Sequence, residues 1–367
     1  MSSATRRRAA LAAAAVVLLV VPYYVEGFWL QTGLFCMAAA IAAIGLTLLV
    51  GIAGQLSLAH AFFVAIGAYG YCWFAGADPP AALEDAPGGL GLPPLLALVA
   101  AVALAGLAGA LFSPIAGRLR GIYLGLASVG LIFIGQHIMF NATGITGGFN
   151  GRDAEPFSLF GFTFSDTDPD DFSVLGVPYG AVERLWYLGL ALLALAWWFG
   201  RNLVGSRPGR ALQQLRDSEV AAAVMGVNVP VYKAAAFTVS SMYAGLGGAF
   251  LALAFGRIVP ESFGFLISIE FLVMIVIGGL GSIGGAVAGA VLIIALPQVL
   301  TRYSEALPLV SEAGGGGLEA SEASRFLYAA AVVVVLVFAP YGLAGLARRL
   351  ARRRAHPSVV RPKESTA

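Results

Sequence analysis

The chain has 367 residues, of which 59% are hydrophobic and only 11% are charged. An average soluble domain has about 25% charged residues, and a single soluble core stops growing at about 250–300 residues. Together with a mean hydropathy of +0.85, this composition excludes a disordered chain, a disulfide scaffold and an ordinary soluble enzyme. It indicates a polytopic membrane protein.

Apolar stretches of about 17–25 residues predict an all-α membrane helix bundle, because the strands of a membrane barrel would alternate over about ten residues. Ten such stretches occur: 9–25, 28–50, 57–76, 93–116, 121–140, 184–200, 232–256, 264–280, 284–303 and 326–346. The joins between these stretches at 26–27, 51–56 and 281–283 are very short and are compatible with half-helices or re-entrant elements. The predicted number of spans is therefore ten, to within about one either way. The first stretch is interpreted as a retained helix, since no small-residue cleavage site of a signal peptide follows it cleanly.

The distribution of charge predicts the orientation. With ten spans and both termini in the cytoplasm, 17 of the 22 basic residues fall on the inner side, as the positive-inside rule requires. This assignment gives a cytoplasmic N-terminus at 1–8, a transmembrane domain at 9–346 and a basic cytoplasmic tail at 347–367. Within the domain it places outer loops at 141–183 and 304–325 and a cytoplasmic loop at 201–231.

The cytoplasmic loop has the pattern of two short helices. Pro208 and Gly209 end the preceding element, and the sequence predicts one helix over about 210–216 and another over about 219–225. Asp217 or Ser218 is the expected N-cap of the second helix, with Gly226 at its C-terminal side. Such a pair either docks into a groove of another protein or merely connects two spans.

Two glycine-rich segments interrupt the apolar runs. The first contains Gly51, Gly54, Gln55, Ser57 and His60, and the second contains Gly278, Gly281 and Ser282. Broken helices at membrane depth are tolerated where they line a cavity or are buried in protein. Each break is therefore part of a substrate pathway or gate, or else a tight turn whose side chains cap helix ends. Gly51 and Gly54 of the first segment lie 227 residues before Gly278 and Gly281 of the second. This constant offset reflects either an internal repeat or chance.

Glu270 is a carboxylate within a predicted span, and it should face the bundle or water because exposure to lipid is costly. It is a possible intramembrane polar site, in contact with a substrate ammonium group, Arg257 or a neighbouring helix.

The sequence does not indicate metal binding, disulfide formation, nucleotide binding or catalysis. The histidines are too scattered for a metal site, Cys36 and Cys72 lie in apolar runs, and neither a P-loop nor a catalytic cluster is present.

Four stretches, taken together, resemble the permease subunits of the branched-chain amino acid ABC transporter family, and the second permease type more than the first. They are residues 45–60, 146–151, 206–228 and 268–281. The resemblance implies a multi-pass cell-membrane subunit of an ATP-driven importer that is not itself an enzyme and needs no cofactor. Its implied partners are a second permease subunit, two ATPase subunits and an extracytoplasmic substrate-binding protein, and no nucleic acid.

The resemblance also implies residue roles. The ATPase-docking loop would include Arg210, Arg216, Glu219, Ala222 and Gly226. The general importer pattern has Glu-Ala-Ala three residues before the glycine, whereas this chain has Val220-Ala221-Ala222 there, so Glu219 alone is a weak candidate. The two breaks are expected to face each other on the inner half of the pore.

Two alternatives stay open at this point. Urea and short-amide importers share most of the same pattern. An ion-coupled secondary carrier is less favoured, because Glu270 alone is a thin set of ion ligands.

Overall fold

The structure is a computed structural model that describes residues 16–77, 87–119, 121–159, 161–165, 173–174, 177–178, 180–303 and parts of 326–346. Most of the described residues are helical. The main helices are α1 (Gly27–Leu46), α2 (His60–Ala75), α3 (Pro94–Arg118), α4 (Ile122–Asn141), α5 (Thr143–Thr146), α6 (Ala181–Gly205), α7 (Arg207–Asp217), α8 (Glu219–Val224), α9 (Val229–Phe255), α10 (Phe265–Gly278) and α11 (Ile283–Arg302). Residues 16–24 are also helical.

Six of the described helices are long and apolar enough to cross a membrane: α1 with its π-helical extension, α3, α4, α6, α9 and α11. The helices α2 and α10 are apolar but shorter. These eight helices coincide with eight of the ten predicted stretches. The remaining two stretches, 9–25 and 326–346, lie partly outside the described residues, so the total of ten and the side of each terminus stay predictions.

Helix α9 lies at the centre of the bundle and packs against α1, α2 and α3. Small residues permit this close packing, as is common where helices meet inside a membrane. A β-carbon on Gly67 of α2 would overlap the backbone of Gly245 in α9, and one on Gly248 would overlap the carbonyl of Val64. The paired glycines therefore fix how closely α2 and α9 approach.

On the other side of α1, the helices α6 and α11 pack against it, and α10 packs against α11. The α10–α11 hairpin is again tight, since a β-carbon on Gly289 would overlap the carbonyl of Met274. Helix α1 is consequently surrounded by protein over most of its length, which explains why its sequence is apolar on all sides.

The segment predicted as the outer loop 141–183 contains short strands, which the all-α prediction did not include. Arg152–Asp153 (β1) pairs in antiparallel fashion with Arg257–Ile258 (β6). Two further antiparallel pairs follow β1: Ser158–Leu159 (β2) with Phe162–Thr163 (β3), and Ser173–Val174 (β4) with Val177–Pro178 (β5). Arg152 is buried and donates from Nη1 to the carbonyls of Gly88 and Ile145, each at 2.8 Å. Burial lowers the pKa of its guanidinium below the usual value.

Candidate transport pathway and docking segment

The first predicted break is a true interruption between α1 and α2. Helix α1 continues into a π-helix, Thr47–Ile52, and regular structure resumes only at His60. Gly54 has a φ of +70°, a conformation that a side chain with a β-carbon adopts at a cost. π-Helical turns are rare in proteins, and those that do occur are often found at functional sites. This interruption is therefore a candidate moving part.

Side chains of two other helices bind the free backbone amides of the break. The N–H of Leu58 donates to Ser128 Oγ of α4 at 2.8 Å, and the N–H of Ala61 donates to Ser268 Oγ of α10 at 2.9 Å. Both serines are buried. The sequence does not mark these two serines as site residues. The one sequence feature that could have identified them is a lone hydroxyl group on an apolar helix, because a buried hydroxyl group needs a hydrogen-bond partner.

Two of the predicted pathway residues have local structural partners. His60 Nε2 lies 2.9 Å from the carbonyl oxygen of Ala42, and its ring meets Phe271 edge-on at 5.0 Å between centroids. Ser57 Oγ accepts a hydrogen bond from the N–H of Ala59 at 3.3 Å. Neither side chain caps α2, whose N-terminus has no side-chain cap, and the His60 contact joins α2 to the interior of α1. A gating role for either side chain stays a prediction.

Gln55 differs from these neighbours. It is only 4% exposed, and both its amide oxygen and its amide nitrogen lack a hydrogen-bond partner within the described part of the chain. A buried polar group without a partner costs about 1–3 kcal/mol. Gln55, like Thr47 Oγ1 in the π-helix, is therefore a polar side chain at the break with unused hydrogen-bonding capacity.

The second break lies between α10 and α11. Gly279 and Gly281 have φ values of +109° and +78°, and Ser282 Oγ accepts from the N–H of Gly285 at 3.2 Å, which caps α11. Gly278 is packed against the backbone of Gly285. Ser282 is thus a capping residue in this structure.

The two breaks touch each other. A β-carbon on Gly281 would lie 3.3 Å from the carbonyl oxygen of Gly51, and one on Gly51 would overlap the backbone nitrogen of Gly281. The expected contact between the breaks is therefore present, and their action as a gate stays a prediction. Gly54 and Gly281, which are 227 residues apart, share the positive φ.

The segment between α6 and α9 forms the two short helices that its sequence predicts. Ser206 caps α7, and Ser218, not Asp217, caps α8 by accepting from the N–H of Ala221 at 3.2 Å. Gly226 has a φ of +85°, and a β-carbon on it would meet open space. Its backbone conformation, not a shortage of room, is what favours glycine. We call Arg207–Val227 the docking segment.

The docking segment presents an apolar surface. Val220, Val224 and Met225 are 70%, 83% and 75% exposed, whereas Ala222 on the opposite side of α8 is buried. Three neighbouring apolar side chains on an otherwise polar segment are typical of a protein contact.

An ion pair fastens α8 to the membrane bundle. Lys233 Nζ in α9 lies 2.6 Å from Glu219 Oε1, and Lys233 is only 3% exposed. The sequence analysis assigned Glu219 to ATPase docking and gave Lys233 no role. In the structure, the carboxylate of Glu219 faces its own bundle.

Arg216 also faces inward. Its Nη1 donates to the carbonyl of Gly51 in the π-helix at 2.9 Å, and its guanidinium contacts the adjacent Asp217 at 3.1 Å. A β-carbon on Gly54 would lie 2.6 Å from Arg216 Cγ. Arg210 instead donates to the carbonyl of Gly205, at the C-terminal end of α6, at 3.3 Å. Arg216 thus joins the docking segment to the first break.

Glu270 lies in α10 and lines a cavity of about 270 Å³ between α1, α2, α9, α10 and α11. It forms no hydrogen bond or ion pair with any residue that the structure describes. Arg257, one of its three expected partners, instead contacts Asp153 at 3.2 Å and the carbonyl of Asn150.

A bundle of apolar helices interrupted by two glycine-rich breaks is typical of membrane transporters. The chain belongs to the family described as the permease component of branched-chain amino acid transport systems, whose model matches residues 28–336. Two relatives are high-affinity branched-chain amino acid transport system permease proteins named LivM, from Salmonella typhimurium and Escherichia coli. Each is 31% identical over 336 residues, which cover 89% of this chain and 72% of the relative.

No solved structure matches the chain. Membership of the family makes the protein a multi-pass membrane permease of an ABC importer, in agreement with its six long apolar helices.

Proposed function

We propose that this chain forms part of the translocation pathway for branched-chain amino acids in an ATP-driven importer. It would work with a second permease subunit, two ATPase subunits and an extracytoplasmic binding protein, and would itself be no enzyme. We infer the substrate from the similarity of this chain to both LivM proteins, which extends over 89% of its length.

The test is transport by the purified complex in proteoliposomes that contain ATP, with the delivery protein outside. We expect ATP-dependent uptake of radiolabelled leucine, isoleucine or valine, and no uptake of urea or acetamide. Uptake of urea without uptake of any of the three amino acids would contradict the assigned substrate.

The docking segment is the proposed contact with the ATPase. Exposed Val220, Val224 and Met225 supply the apolar contact, and Ala222, Glu219 and Arg216 hold the two helices against the bundle. A Val224→Asp change should reduce co-purification of the ATPase at least tenfold. Val231→Asp is the matched control, because Val231 is also exposed, at 58%, but lies on α9 outside the segment. Equal co-purification of the two variants would contradict the assignment.

The two breaks are the proposed inner gate. Gly54, Gln55, Ser57, His60, Gly278, Gly281 and Ser282 would form it, supported by the contact of Gly51 with Gly281. Such a gate need not bind substrate tightly, because affinity can reside in the delivery protein and tight binding would slow release.

A further inference from the structure

The cavity beside Glu270 has the composition of a small-molecule site. Its walls are mainly apolar, with Phe35, Leu251, Ile267 and Ile294 among them, and Glu270 is the one charged residue among the described residues that line it. Ligand sites are usually apolar cavities with a few polar groups that fix orientation. At about 270 Å³, this one is near the lower end of the usual range of about 300–1,000 Å³, which suits a small ligand.

The polar groups of the cavity include several hydrogen-bond acceptors. The Glu270 carboxylate only accepts when ionised, and Gln298 and Tyr328, which also line the cavity, can both accept and donate. Pro297 lies inside α11 and also lines the cavity. Because proline has no N–H, the carbonyl of Ile293 loses its usual helical donor. Transporters use such freed carbonyls and broken helices to bind cationic groups.

We propose that this cavity binds the transported amino acid within this subunit, with the ammonium group at Glu270 and the aliphatic side chain among the apolar walls. The inference rests on the proposed function. A carboxylate at membrane depth is costly unless it is paired or hydrated, and a bound ammonium group supplies the missing charge. Glu270 is exposed in the isolated subunit, so the cavity is open on its side and a ligand can enter.

The location of the cavity relative to the breaks supports this role. Glu270 is eight residues before Gly278 on α10, which corresponds to about 12 Å along the helix. Ala42 and Phe271 line the cavity, and His60 at the first break contacts both of them. A ligand in the cavity would therefore lie directly next to the first break.

The experiment uses the complete complex in lipid nanodiscs, without the delivery protein, and a diazirine analogue of leucine as the probe. We expect photolabelling of the α10 peptide that contains Ile267 and Met274, suppressed by excess leucine. Glu270→Gln should reduce this labelling at least tenfold. Ala39→Phe, which fills the cavity without removing the charge, should do the same. Glu261→Gln, an exposed carboxylate that does not line the cavity, is the matched control and should label like the wild type.

Labelling of Glu270→Gln within twofold of the wild type would overturn the inference, as would labelling confined to other helices. If Glu270→Gln fails to assemble, undiminished labelling of Ala39→Phe would overturn it. Failure of the proposed function has a different signature: the wild-type complex then takes up none of the three amino acids in proteoliposomes. Uptake by the wild type without labelling of α10 overturns only the inference.

Discussion

At the scale of single residues, the ion pair of Glu219 with Lys233 has the clearest energetic consequence. Lys233 is almost fully buried, whereas the Glu219 side chain is 27% exposed to solvent. Removing one partner of a buried pair costs about 3–5 kcal/mol, because the remaining charge stays in a poorly solvated place. Exposed pairs contribute only about 0–1 kcal/mol, so the loss here should lie between these limits.

We predict that Glu219→Ala destabilises the complex more than the double variant Glu219→Ala/Lys233→Met does. The single change leaves an ammonium group buried without its partner, whereas the double change replaces the pair with apolar groups, which is often neutral. The measurement is the thermal unfolding midpoint of the purified complex. A double variant that is less stable than the single one would show that the pair is not what fastens α8 to α9.

Gln55 permits a test in which stability and transport should move in opposite directions. Its amide has no partner within the described residues, so Gln55→Leu removes an unsatisfied polar group and should keep or raise the unfolding midpoint. If the amide belongs to the gate, the same variant should lose at least tenfold in transport rate, at equal expression and with unchanged affinity of the delivery protein. Unchanged uptake would return Gln55 to a structural role.

At the scale of elements, the docking segment and the first break are joined by one hydrogen bond and by apolar packing. Arg216 begins on α7, crosses to the π-helix and binds the carbonyl of Gly51, which is the residue in contact with Gly281. Leu212 of α7 is buried in one cluster with Leu48 and Ile52 of the π-helix. A movement of α7 would therefore reach both breaks through this packing and through the Arg216 hydrogen bond, which is the polar part of the connection. This connection is a physical contact between two elements, and whether it couples them needs a functional measurement.

We predict that Arg216→Ala keeps the ATPase bound but lowers the number of amino acid molecules transported per ATP hydrolysed. The reason is that the change removes the bond to Gly51 and leaves the apolar surface of α8 intact. Arg210→Ala is the matched control, since Arg210 donates to Gly205 at the end of α6 and not to the break, and it should keep the wild-type ratio. The ratio comes from parallel assays of uptake and phosphate release. Arg216→Ala with an unaltered ratio would exclude the link.

At the scale of the whole molecule, the sequence predicts those features that depend on local composition. Hydropathy located eight apolar helices, six of which are long enough to cross a membrane, and Ser218 was one of the two expected caps of the second docking helix. Apart from the contact between the two breaks, features that depend on contacts between distant segments were missed. The bonds of Ser128 and Ser268 to the first break, the β1–β6 pairing and the partner of Glu219 join residues far apart in sequence, and no local pattern specifies them.

The last prediction concerns the topology, which follows from the charge distribution and not from the structure. In a background without Cys36 and Cys72, single cysteines at Ser165, Val224 and Ala355 should react with an impermeant maleimide according to side. With ten spans and both termini inside, the Ser165→Cys variant should label from outside, and the Val224→Cys and Ala355→Cys variants only after the membrane is opened. The three sites test whether the last stretch spans and which way the bundle is oriented. If the stretch 326–346 does not span, position 355 moves to the outer side with 165, whereas an inverted bundle exchanges all three. The predicted topology keeps position 355 together with 224, on the side where an ATPase could bind.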